Sequence, residues 1–133
     1  MASVTANAAP HALIISRNAL TAKGLGSYFD ERGVANTVTD RFDGPLGHDR
    51  YTAVVVFPDE FPVQSAATSI EVLARRFSRA WIVVVTRQTA RFEKLFAGMN
   101  APALGRLLVL PRPIWGWDLL DHVIQPPPPI PSP

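Results

Sequence analysis

The chain contains no cysteine. That excludes disulfides, thiolate metal sites and a cysteine nucleophile, and it fits a reducing, cytoplasmic compartment. Long apolar runs are missing as well: none approaches the ~20 residues that a membrane span needs. Met1 to Pro10 has neither a basic n-region nor an apolar h-region, so it does not read as a secretion signal. There is no Walker motif, no zinc-ligand spacing and no Ser/His/Asp order for nucleophilic catalysis. His11, His48 and His122 are far apart, and His122 reads as a surface residue compatible with a helix C-terminus. Gly24-Leu-Gly26 lies inside a helical stretch and not in the turn after a strand. It is therefore no dinucleotide fingerprint, and close packing against a neighbour explains these glycines better. No enzyme activity and no cofactor are expected.

Charged residues are sparse at 18%, against 47% hydrophobic, which excludes a disordered chain. The 133 residues are a single-domain length. The net charge of +2 divides into −2 over residues 1–62 and +4 over residues 63–133. Such a surplus belongs to an ordinary solvated surface and not to a phosphate-binding stripe, so nucleic acid is not expected as a partner.

The order of elements is informative. His11 to Ser16 is a short apolar strand. Asn18 to Gly33 is a helix, with Asn18 to cap it and Gly33 to stop it. Val34 to Thr39 is a second strand. Arg41 to Arg50 holds Gly44-Pro45 and Gly47, which allow at most one irregular helical turn. Tyr51 to Phe57 is a β-branched third strand. Val63 to Arg79 is the clearest helix, with Ala66, Ile70, Leu73 and Phe77 on one face. Arg75, Arg76 and Arg79 lie off that stripe. Trp81 to Thr86 is a fourth strand, Thr89 to Gly98 a short helix, Leu107 to Leu110 a fifth strand, and Trp117 to Gln125 a last helix. Strand–helix alternation implies a parallel sheet covered on both faces, with any site beyond the carboxyl ends of the strands. Pro126 to Pro133 reads as a polyproline tail or linker with PxxP spacing. Residues 1–10 read as a flexible N-terminus and 11–125 as the folded domain.

In this order the chain resembles the receiver domain of bacterial response regulators over residues 11–125. Leu13-Ile-Ile-Ser16-Arg17 is similar to the first strand with its acidic pair. Tyr51 to Phe57 is similar to the strand that ends in the phosphoacceptor aspartate. Val83-Val-Val-Thr86 is similar to the strand ending in the switch Ser/Thr, and Leu110-Pro111-Arg112-Pro113 to the Lys-Pro after the fifth strand. The resemblance implies an α/β, flavodoxin-like (CheY-like) three-layer sandwich with a five-stranded parallel sheet, its second helix shortened or lost.

The departures from the pattern carry the functional reading. The acidic pair falls on Ser16 and Arg17, the phosphoacceptor on Phe57, the lysine on Arg112 and the aromatic switch residue on Val109. Only Thr86 keeps the family's residue type. Acyl-phosphate formation needs a carboxylate nucleophile and a divalent cation held by oxygens. Ser16, Arg17 and Phe57 offer a hydroxyl at best, and Arg17 would set a positive charge where the cation sits. Asp59 and Glu60, flanked by Pro58 and Pro62, read as a solvated acidic loop, with a surviving metal or phosphate site as the alternative. The sequence thus points to a degenerate phosphorylation pocket made of Ser16, Arg17, Phe57, Asp59, Thr86 and Arg112. Phe57 should dry the crevice and lower its charge, and Arg112 should pair with Asp59 or Glu60.

Trp115 and Trp117 open the last helix. Either at least one ring closes the edge of the core, or both belong to a binding hot spot. The resemblance implies a partner face built from the fourth helix, fifth strand and fifth helix, on or near which Arg87, Arg91, Lys94, Trp115 and Trp117 fall. The expected function is that of a phosphorylation-independent pseudo-receiver in bacterial signalling, which binds a protein partner or a second copy of itself. An atypical magnesium-dependent receiver, or the N-terminal sensory domain of a longer regulator, are the alternatives.

Overall fold

Runs such as Val54–Val56 and Ile82–Val85 have no polar face, so both sides of their strands must be covered. The computed structural model describes residues 10–42, 51–77, 79–98 and 106–124, with the backbone alone at 63–64. It contains five strands: β1 (His11–Ile15), β2 (Ala35–Thr39), β3 (Ala53–Val56), β4 (Trp81–Thr86) and β5 (Leu107–Pro111). All pair in parallel in the order β2-β1-β3-β4-β5, with Ile15 opposite Val56 and Thr86 opposite Pro111. This is the strand order of the flavodoxin-like topology, which places a crevice between β1 and β3 at their carboxyl ends.

Four helices cover the sheet among the described residues: α1 (Ala19–Glu31), α2 (Val63–Arg76), α3 (Thr89–Phe96) and α4 (Gly116–Ile124). Alternate residues along each strand serve opposite faces. Leu13, Val54 and Ile82 pack with Ile70 and Leu73 of α2 and with Phe92 and Phe96 of α3. Ile14, Val55 and Val83 pack with Leu25 and Phe29 of α1 and with Leu119 and Val123 of α4. The α2 stripe of Ala66, Ile70, Leu73 and Phe77 is buried, each large member contributing roughly 1.5–3 kcal/mol. Arg75, Arg76 and Arg79 are exposed, and the helix stops at Arg76, three residues earlier than expected.

Asn18 caps α1 as expected, its Oδ1 accepting from the Leu20 and Thr21 N–H groups at 3.0 and 3.2 Å. Gly33, at φ 76°, follows the helix in the left-handed region that glycine tolerates. Of the two glycines within α1, only Gly26 is closely approached: a Cβ there would lie 3.1 Å from Asn36 Oδ1. Gly24 has open space around it, so packing does not explain it. The expected irregular turn falls largely on 43–50, outside the described residues, as do the N-terminal segment 1–9 and the proline-rich tail. Residues 41–42 are not helical.

Candidate functional site

The site is built around the end of the central strand. Phe57 follows β3 and donates its N–H to Ile15 O at 3.2 Å. Its ring is 2% exposed and belongs to the core on the α1–α4 face. Pro58 then starts a single 3₁₀ turn, Pro58–Glu60. Successive residues of such a turn point about 120° apart. Because β3 lies between β1 and β4, the Asp59 and Glu60 carboxylates diverge, one toward each neighbouring loop.

Asp59 reaches the β4–α3 loop. Its Oδ1 accepts from Thr86 Oγ1 at 2.6 Å, and its Oδ2 accepts from the Arg87 N–H at 2.8 Å. Glu60 reaches the β1–α1 loop. Its Oε1 accepts from Ser16 Oγ at 2.7 Å, the Arg17 N–H at 2.7 Å and the Asn18 N–H at 3.1 Å. The expectation of a solvated acidic loop is therefore wrong. Both carboxylates are bound into neighbouring loops, because the 3₁₀ turn aims them along the sheet and loop N–H groups need acceptors. Arg112 Nη1 lies 3.8 Å from Glu60 Oε2, and its guanidinium lies 5.7 Å from the centre of the Phe57 ring. The expected approach of Arg112 to Glu60 is present as a long ion pair, and the Arg112–Pro113 peptide bond is cis.

Arg17 is placed differently from expectation. Its guanidinium stacks 5.1 Å from the Phe61 ring centre and is exposed, so it adds no charge to the crevice. The positive charge comes instead from Arg87 and Arg112. These two line a cleft of about 330 Å³ with Thr21, Leu25, Phe57, Pro113 and Ile114. Phe57 removes a polar position as expected, but the cleft is cationic and not merely less charged.

The partner-face residues are distributed over both sides of the sheet, on either side of β5. Arg91 and Lys94 are exposed on α3, which packs on the α2 side, whereas Trp115 and Trp117 open α4, which packs on the α1 side. The β5 strand lies between them as the edge of the described sheet. Arg87 lies at the cleft. Trp115 and Trp117 stack on each other, with centroids 5.1 Å apart and planes 6° apart, and are 59% and 54% exposed. Neither ring closes the core. Gly116 between them makes the close approach to α1 instead, since a Cβ there would lie 2.8 Å from the Tyr28 ring.

One structural residue gives no sequence signal. Arg106 is 4% exposed and its guanidinium donates to Ala74 O, Phe77 O and Ala80 O at 3.1, 3.0 and 2.9 Å. It closes the C-terminal end of α2, where carbonyls lack helical partners. Desolvation lowers its pKa from the ordinary arginine value. A lone arginine before an apolar strand has no pattern that would mark it.

No protein-family model matches the chain, and no curated protein matches it. Solved structures do. A receiver domain protein (CheY-like) from Methanospirillum hungatei superposes with TM-score 0.69 at 11% identity, covering 86% of this chain and 90% of that one. The receiver domain of a Francisella response regulator gives 0.65 at 15%, covering 86% and 93%. A Burkholderia pseudomallei response regulator, solved with a phosphorylated aspartic acid, calcium and citrate, gives 0.65 at 20%, covering 86% and 66%. The chain has the receiver-domain fold. Ser16 and Arg17 follow β1 and Phe57 follows β3, at the strand ends where the resemblance to receivers leads one to expect carboxylates. No helix among the described residues is long and apolar enough to cross a membrane.

Proposed function

We propose that this receiver-fold chain is a pseudo-receiver: a non-enzymatic, phosphorylation-independent module of bacterial two-component signalling that works in the cytoplasm by binding protein. The observation that carries the reading is the engagement of both strand-end carboxylates by neighbouring loops. A divalent cation needs several oxygens in near-octahedral geometry. Here Ser16 Oγ donates to Glu60, Arg17 turns outward, Phe57 offers a ring, and Asp59 and Glu60 already accept five hydrogen bonds between them. The oxygen left over, Glu60 Oε2, has Arg112 beside it. These residues do not fit magnesium.

Without chemistry at the strand ends, a surface must carry the function. The stacked, exposed tryptophans are the residue type that dominates binding hot spots, and the basic groups flanking β5 favour an acidic partner. A second copy would use the same patch on both chains.

Incubation with acetyl phosphate and magnesium tests the first half of the reading. Intact mass should stay unchanged. A gain of one phosphoryl group that disappears in Asp59→Asn would establish the competing reading, an atypical receiver with Asp59 as acceptor.

A further inference from the structure

We infer that the cleft at the strand ends is a binding site for a small organic anion, a carboxylate carried on an apolar body. Its volume of about 330 Å³ lies at the low end of small-molecule sites. The polar and apolar lining differ in kind. Leu25, Phe57, Pro113 and Ile114 supply apolar wall, and Arg87 and Arg112 supply charge. Among the described residues no carboxylate lines it.

The two arginines are under-used by the protein itself. Among the described residues the Arg87 guanidinium makes no hydrogen bond and no ion pair, its backbone N–H alone being taken by Asp59. The Arg112 side chain is 21% exposed, so most of it is out of water, yet its only partners among the described residues are the 3.8 Å contact to Glu60 and the Phe57 ring. Glu60 spends its other oxygen on three donors of the β1–α1 loop. A guanidinium so placed gains most from a planar acceptor that takes two N–H groups at once, which is a carboxylate. The Phe57 ring and the aliphatic wall favour an apolar body attached to that carboxylate over a bare, strongly hydrated anion.

The proposal goes beyond partner binding and fails separately from it, since it is read by titration and not by mass or assembly. The full chain is titrated calorimetrically with sodium benzoate, with benzamide and inorganic phosphate as comparisons. Saturable one-site binding of benzoate is expected, with benzamide and phosphate at least roughly tenfold weaker. Arg87→Gln, at an exposed position, should weaken benzoate roughly tenfold or more with an unchanged melting temperature. Arg112→Gln should do the same if it folds. Absence of saturable benzoate binding overturns the proposal. So does phosphate binding as tightly as benzoate, which would mean a simple anion site, or benzoate affinity that is unchanged in Arg87→Gln.

Discussion

Thr86 donates a 2.6 Å hydrogen bond to Asp59 across 27 residues of sequence. Its hydroxyl also accepts the Gln88 N–H at 3.0 Å, and Thr86 is fully buried. The side chain that the resemblance matches to the receivers' switch Ser/Thr thus has its donor and its acceptor satisfied inside the protein. In the pseudo-receiver reading, Asp59 holds this hydroxyl permanently.

This bond should be measurable. Thr86→Val and Asp59→Ala should each destabilise by about 1–3 kcal/mol, because one leaves the half-buried Asp59 carboxylate and the other the buried Thr86 hydroxyl without its partner. A double-mutant cycle from urea unfolding should give a coupling of about 1 kcal/mol or more. Purely additive losses would mean that the two side chains act independently.

Arg106 should be a major stabilising residue far from the cleft. Arg106→Ala leaves the carbonyls of Ala74, Phe77 and Ala80 without their donor and opens space in the core. The expected loss is about 2–4 kcal/mol, read by denaturant unfolding. Arg106→Lys keeps the charge but cannot reproduce the planar fork, so it should recover less than half of the loss.

Two glycine substitutions should act with opposite sign. Gly24→Ala, exposed within α1 with nothing near its Cβ, should stabilise by about 0.5–1 kcal/mol. Gly116→Ala drives a Cβ against the base of the Tyr28 ring, at 2.8 Å from Cδ2 and 3.0 Å from Cγ. It should destabilise by about 1–3 kcal/mol despite the better helix propensity. Thermal melts followed by circular dichroism give both signs.

Trp117→Ala should separate surface from core. With the ring 54% exposed and stacked on Trp115, its loss should change stability by about 1 kcal/mol or less. Binding to a partner or to a second copy should weaken by about 2 kcal/mol or more, read by sedimentation or surface capture. If both quantities stay unchanged, the functional face lies elsewhere, and the exposed Arg75, Arg76 and Arg79 side of α2 is the next candidate.

The strands, the helices and their order are legible along the chain alone, because each rests on local patterns. Apolar runs such as Val54–Val56 demand a strand covered on both faces, the Ala66–Ile70–Leu73–Phe77 spacing demands a helix, and Asn18 marks a helix start. The sequence also places Phe57 at the end of the third strand, where the resemblance to receivers leads one to expect a carboxylate. What the carboxylates do was decided by tertiary structure alone. Asp59 and Glu60 are adjacent in sequence, yet a 3₁₀ turn on the central strand sends one to Thr86 and the other to Ser16. Arg17 was misplaced for the same reason: its direction depends on the Phe61 ring, 44 residues away, and not on its neighbours in the chain. Arg106 has partners that are 26 to 32 residues distant, and the tryptophans are exposed because Gly116, not they, meets α1. Periodicity reports which side of an element is apolar. Which polar groups meet across elements depends on the orientation of whole loops, and only the packed sheet sets that.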